Sequence, residues 1–232
     1  MINIICLSKV NSTNTYAKAL LNSGEPLKPY TVIYTKEQTE GRGRLGRDWV
    51  SKEGDSLCMS LILPYTCKPG ITLLCALGVY KALRSIYPDI KIKWPNDIIA
   101  ENKKICGILT EGTQNGTVTG IGINLNQREF PTDIAHKATS LKLLTGNTYD
   151  TYELAQKVAV CVFDTIEKHN AELTDDAIKL YSALCANIGR EVEWSGRTGT
   201  ALGISPDGSL LVKTADGTEE IRFGEVFVNG IY

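Results

Sequence analysis

The chain reads as an α+β protein, with strands and helices interspersed over most of its length and a small β-barrel of the SH3 type at its C-terminal end. Three observations predict this. Short β-branched and aromatic runs recur between turn residues. Residues 71–87, 152–169 and 175–187 carry apolar side chains at helical spacing. From Gly189 onward, five short strands alternate with tight glycine turns, the pattern of a small barrel. At 232 residues there is room for one large domain and a small appendage. The change of pattern sets domains of 1–187 and 188–232.

The elements follow in order. Residues 2–7 form a short apolar strand. Ser12, Thr13 and Asn14 then open a helix over 15–22 that stops at Gly24, with a capping residue at each end. Residues 31–35 are β-branched and aromatic, hence a strand, and 36–55 are long, polar and glycine-rich, hence a loop. Residues 56–63 form a strand halted by Pro64. A helix over 71–87 precedes a strand over 90–94 that ends at Pro95. Strands over 97–100 and 104–111 are joined by the turn at Glu101, Asn102 and Lys103. A further strand over 118–125 follows the turn at Gln114, Asn115 and Gly116. After the two later helices, the barrel strands span 191–194, 200–204, 210–214, 219–223 and 225–228.

Composition excludes several classes. A net charge of −1 argues against wholesale nucleic-acid binding, so any basic site must be local. The longest apolar stretch, 71–83, contains Lys81 and is too short to span a membrane, and the N-terminus lacks the pattern of a secretion signal. Cys6, Cys58, Cys67, Cys75, Cys106, Cys161 and Cys185 include no C-x-x-C pair, and His136 and His169 lie far from them in any zinc-like spacing. A reducing cytoplasm is therefore the expected compartment. Cys106 reads as a packing residue.

Gly41-Arg42-Gly43-Arg44-Leu45-Gly46 formally satisfies G-x-G-x-x-G. The dinucleotide fingerprint needs a strand before the glycines and a helix beginning at them. Here a loop and a strand follow, so the dinucleotide reading fails. The chemistry remains. Glycines make the segment costly to order. Arg42, Arg44 and Arg47 offer planar donor forks suited to phosphate and carboxylate, and Trp49 can cover a flat ligand face. A solvated basic turn is the bland alternative, but it needs neither the glycines nor a terminal tryptophan.

A second cluster, Lys93-Trp94-Pro95-Asn96-Asp97, puts a cation, an amide and a carboxylate where a strand ends. Asp97 could carry magnesium, which accepts one or two carboxylates alongside substrate phosphates. Taken in order, Ser12-Thr13-Asn14, the segment from Gly41 to Trp49, the KWPND segment, Lys104-Ile105-Cys106-Gly107-Ile108-Leu109 and Gly122-Ile123-Asn124-Leu125-Asn126 resemble biotin protein ligases over nearly the whole chain.

The resemblance implies a class II aminoacyl-tRNA synthetase-like catalytic domain, a mixed β-sheet flanked by helices, followed by an SH3-like barrel. It implies adenylation of biotin by ATP to biotinyl-5′-AMP and transfer of biotin to a lysine of a carrier domain. By motif position, Ser12, Thr13, Asn14 and Gln38 would hold the ureido ring, and Arg42, Gly43 and Arg44 would close over biotin. Arg44, Arg47, Trp49, Lys93, Asn96, Asp97 and Asn124 would border the nucleotide, with Asp97 near magnesium. Lys104 would lie beside the reacting carboxylate, and Arg44 and Lys104 would be the catalytic pair. Biotin and ATP are the implied substrates. The implied partner is the biotin carboxyl carrier domain of acetyl-CoA carboxylase or another biotin-dependent carboxylase, with a homodimer allowed. Ser12 comes too early for the helix-turn-helix domain of repressor relatives, so no DNA partner is expected. Asn229 stands where some members have arginine. A lipoate protein ligase, sharing fold and adenylation step, is the alternative.

Overall fold

The computed structural model describes residues 2–49 and 51–232; Met1 of the first expected domain and Val50 of the polar loop lie outside the described residues. A seven-stranded sheet is built from β1 (Asn3–Val10), β2 (Thr31–Gln38), β3 (Ser56–Leu63), β4 (Ile90–Lys93), β5 (Asp97–Ala100), β6 (Lys103–Thr113) and β7 (Gly116–Asn124). Its order is β1-β2-β3-β7-β6-β5-β4. The β1–β2 pair is parallel, joined through helix α1 (Thr13–Asn22), and the other neighbours are antiparallel, which makes the sheet mixed as expected.

Strand alternation gives the two faces different jobs. On β3, Leu57, Met59, Leu61 and Leu63 point into the main core beneath helices α2 (Ile71–Arg84) and α4 (Thr151–Lys168). On the opposite face Ile62 joins Ile33, Val118 and Ala17 in a smaller cluster under α1. On β7, Ile121 and Ile123 enter the main core while Gly120 and Gly122 face the other way. The α1 side is therefore only partly covered, and the bare remainder is the floor of the site described below.

The C-terminal sheet comprises β8 (Glu191–Trp194), β9 (Arg197–Ile204), β10 (Leu210–Thr214), β11 (Gly217–Ile221) and β12 (Phe227–Val228) in the order β11-β10-β9-β8-β12. It is fastened to the larger sheet. The Trp94 indole N–H donates to the Gly208 carbonyl at 3.0 Å, and the Trp94 backbone N–H donates to Asn187 Oδ1 at 2.9 Å.

Several boundaries differ from the sequence reading: β1 runs to Val10 rather than residue 7, α2 ends at Arg84 rather than 87, β9 begins at Arg197 rather than 200, β11 ends at Ile221 rather than 223, and β12 is only Phe227–Val228. Three further differences have a visible cause. The second strand runs to Gln38 rather than residue 35, because β1 pairs with it as far as Val10 and the Gln38 amide is bonded to Thr13. Helix α5 (Asp175–Leu184) stops short of 187, because Cys185 turns extended and Ala186 N–H donates to the Ile92 carbonyl at 2.7 Å. A short helix α3 (Leu141–Thr145), capped by Ser140, lies in a stretch assigned no element. Its single turn is too brief to show periodicity.

Candidate active site

The N-terminus of α1 forms one wall. Ser12 caps the helix, accepting from Thr15 N–H at 3.4 Å. Gln38 Oε1 accepts from both the backbone N–H (2.9 Å) and the hydroxyl (3.2 Å) of Thr13, which leaves the Gln38 NH₂ group for other acceptors. Asn14 Nδ2 donates to Leu109 O at 3.2 Å and Glu111 Oε2 at 2.7 Å. The Ser60 hydroxyl stands 2.7 Å from Thr13 Oγ1 and 2.6 Å from Asn14 Oδ1. All four residues of the expected ureido set are thus buried together.

Gly107, Gly120 and Gly122 make the floor. A Cβ at Gly120 would stand 2.4 Å from Asn14 Oδ1, and one at Gly122 would stand 2.5 Å from the Trp49 ring. Gly107, paired with Gly122 across β6 and β7, would meet the Trp49 ring at 3.2 Å. Trp49 therefore lies flat on a side-chain-free shelf.

The Gly/Arg segment folds as a small hairpin over this floor. Gly43 N–H donates to Arg47 O (2.7 Å) and Trp49 N–H to Gly41 O (2.8 Å), around a 3₁₀ turn at Arg44–Gly46. No helix grows from the glycines, in keeping with the failed dinucleotide reading. Leu45 takes a left-handed conformation (φ 56°) at the exposed tip. Arg42 donates to Thr15 Oγ1 at 2.7 Å, tying the hairpin to α1. Arg42, Gly43, Arg44, Leu109, Glu111 and Phe223 line a cavity of about 490 Å³.

The far wall comes from the strand-end cluster and the C-terminal segment. Arg44 donates to Asn96 Oδ1 at 2.9 Å and to Gly224 O at 2.7 Å. Asp97 Oδ1 pairs with Lys104 Nζ at 2.7 Å, while its Oδ2 accepts from the Tyr232 hydroxyl. Lys93 donates to Val226 O at 3.1 Å and lies 4.5 Å from the centre of the Tyr232 ring. Arg47 pairs with Glu225. Asn124 Nδ2 reaches Lys104 O at 3.3 Å and is braced by Gln127 at 3.4 Å. Trp94 belongs to the core beneath.

Burial lowers the proton affinity of Lys93, with Asp97 opposing, and burial likewise pulls Arg44 down against Asp97 and Glu225. Burial and the Asp97 charge together push the Tyr232 phenol well up. Cys106 is fully buried in the core, and desolvation raises its thiol, so it packs rather than reacts. Among the described residues no group of three or more His, Cys, Asp or Glu side chains could hold a metal, and Asp97 is a single carboxylate with both oxygens engaged. That donor set suits a magnesium ion carried mainly by nucleotide phosphates and does not form a protein cage.

The structure thus brings every residue expected from the sequence to one face of the sheet. The sequence reading missed Ser60, Glu111, Gly120, Gly224 and Tyr232. The Gly120-Ile121-Gly122-Ile123 alternation was a signal for the bare floor. Nothing local marked Tyr232, which lies 135 residues from Asp97.

Comparison with known proteins agrees with this geometry. The Biotin/lipoate A/B protein ligase family matches residues 7–127, and the Biotin protein ligase C terminal domain matches residues 188–228. The bifunctional ligase/repressor BirA of Bacillus spizizenii is 33% identical over 242 residues, covering 97% of this chain and 73% of that protein. The biotin–[acetyl-CoA-carboxylase] ligase of Paracoccus denitrificans is 28% identical, covering 97% of this chain and 100% of its own. The biotin protein ligase of Aquifex aeolicus in complex with biotin and ATP superposes with a TM-score of 0.86 at 33% identity, covering 99% of each chain. These matches show that the chain belongs to the biotin protein ligases of the Biotin/lipoate A/B protein ligase family.

Proposed function

We propose that this biotin protein ligase assembles biotinyl-5′-AMP along the glycine floor, with biotin toward α1 and the nucleotide toward Asn96, Asp97 and Asn124. The observation that carries the reading is the meeting of two cations from distant segments. Arg44 reaches Asn96, and Lys104 reaches the adjacent Asp97. A carboxylate oxygen of biotin would attack the α-phosphorus of ATP, and the bond to the bridging oxygen would break to release pyrophosphate. The approach sets anion against anion. Arg44 and Lys104 would neutralise both and stabilise charge growing on the phosphoryl oxygens. Arg42 and Gly43 would close over biotin, while Arg47, Trp49 and Lys93 would border the nucleotide. Magnesium would arrive with the nucleotide, Asp97 being the nearby carboxylate.

In the second step a lysine amine of a carboxyl-carrier domain, such as that of acetyl-CoA carboxylase, would attack the acyl carbon and expel AMP. The hairpin would exclude water from the mixed anhydride until then. No protein nucleophile is needed, which suits the buried, unreactive Cys106 beside the site. We place the domain boundary at 187/188 and the enzyme in the cytoplasm, where free thiols are kept reduced.

Pyrophosphate exchange into ATP, measured separately with biotin and with lipoate, tests the substrate. Stimulation by biotin and not by lipoate is expected; exchange driven by lipoate alone would overturn the reading.

A further inference from the structure

Glu111 lines the same cavity as Arg42 and Arg44, and its hydrogen bonds go to Asn14, a member of the ureido set, and to Lys18. Both donor hydrogens of the Asn14 amide are taken by protein acceptors, the Leu109 carbonyl at 3.2 Å and Glu111 Oε2 at 2.7 Å. The other carboxylate oxygen of Glu111 receives Lys18 Nζ at 2.6 Å. An asparagine amide has two nearly isosteric orientations, and its surroundings decide between them. Here the flipped orientation would set Asn14 Oδ1 against a carboxylate and a carbonyl, so that orientation is excluded. Oδ1 is left beside Ser60 and above Gly120, over the floor. Gln38 is locked in the opposite sense, with its oxygen on Thr13 and its NH₂ group remaining. A ureido group needs both kinds of partner, acceptors for its N–H groups and donors for its carbonyl.

We infer that Glu111 is a positioning residue for biotin recognition. It fixes the Asn14 amide so that an acceptor faces the ureido N–H groups, and Lys18 holds its charge in place. The inference rests on the placement of Asn14 at the ureido ring proposed above.

A double-mutant cycle tests it, using biotin affinity by calorimetry and steady-state adenylation of Asn14→Ala, Glu111→Ala and the double variant. Glu111→Ala is expected to weaken biotin roughly tenfold, from the loss of a bond to a charged group. The KM for ATP and kcat at saturating biotin should stay within about twofold of wild type. The double variant should bind no more weakly than Asn14→Ala alone. The isosteric Glu111→Gln keeps the packing but accepts either amide orientation, and it should weaken biotin by a smaller factor even if the alanine variant folds poorly. Additive losses, or an equal rise in the KM for ATP, would mean general structural damage and overturn the inference. Wild-type biotin affinity in both Glu111 variants, with Asn14→Ala weakened, would overturn it and leave the site intact. Wild-type affinity in Asn14→Ala would overturn the placement of Asn14 itself.

Discussion

Replacing Gly122 with alanine puts a methyl group where the Trp49 ring lies. The new Cβ would be 2.5, 2.7 and 2.8 Å from Trp49 Cε2, Cζ2 and Nε1. Carbon atoms rest at about 3.5–4.0 Å, so the ring must retreat by on the order of 1 Å. It cannot slide toward Gly41, since the Gly41 carbonyl already accepts from the Trp49 N–H at 2.8 Å and the two backbones run so close that even a Cβ at Gly41 would stand 2.3 Å from the Trp49 carbonyl. The hairpin must therefore lift. Overpacking of this kind costs ~1–3 kcal/mol, which lowers the closed population against the open one by roughly 5–150-fold. Apparent nucleotide affinity falls in proportion once the closed form becomes the minority. The expected outcome is a raised KM for ATP in biotin-dependent pyrophosphate exchange, with an unchanged melting temperature, because Gly122 lies in ordinary strand conformation. Gly120→Ala is the internal comparison. Its Cβ would press on Asn14 Oδ1 at 2.4 Å without displacing Trp49, so it should raise the KM for biotin and leave that for ATP unchanged. If Gly122→Ala folds and keeps the wild-type KM for ATP, the hairpin does not use this shelf and the argument fails.

Other perturbations divide the site further. Arg44→Ala removes a charge-assisted bond worth ~1.5–3 kcal/mol in the transition state, so adenylation at saturating biotin and ATP should slow at least roughly tenfold; a near-normal single-turnover rate would refute that role. Tyr232→Phe leaves Asp97 Oδ2 without its donor, and backbone amides of residues 222–232 should then exchange hydrogen faster by mass spectrometry. Burial of Glu111 opposes ionisation, but bonds from Lys18 and Asn14 outweigh it and hold the carboxyl below its ordinary value of 4.5. A carboxyl lowered in the folded state stabilises fully above the unfolded value, and that contribution disappears as pH falls through the folded value. Melting temperatures of wild type and Glu111→Gln should therefore converge as pH drops below 4.5.

Much of the fold was legible because its signals are local. Ser12 is a helix cap by its chemistry, and the strand over 56–63 alternates between core residues and Cys58, Ser60 and Ile62. The turn at Glu101 and Asn102 adopts the positive φ values expected of a tight hairpin. Two of the errors fell where another element intervenes. Cys185 leaves the helical pattern to bridge Ile92, and the second strand lengthens because β1 offers it a partner.

The sequence by itself determined the chemistry available, namely the glycine-spaced arginines, the strand-end carboxylate and the buried amides. It also determined which strand residues share a face, since side-chain alternation is a property of one strand. Only the tertiary structure decided what stands opposite those faces. Glu111 against Asn14, Trp49 against Gly122 and Tyr232 against Asp97 are separated by 97, 73 and 135 residues respectively. Contacts across such distances depend on how the sheet is ordered and how the C-terminal sheet is docked, and no short-range periodicity encodes either.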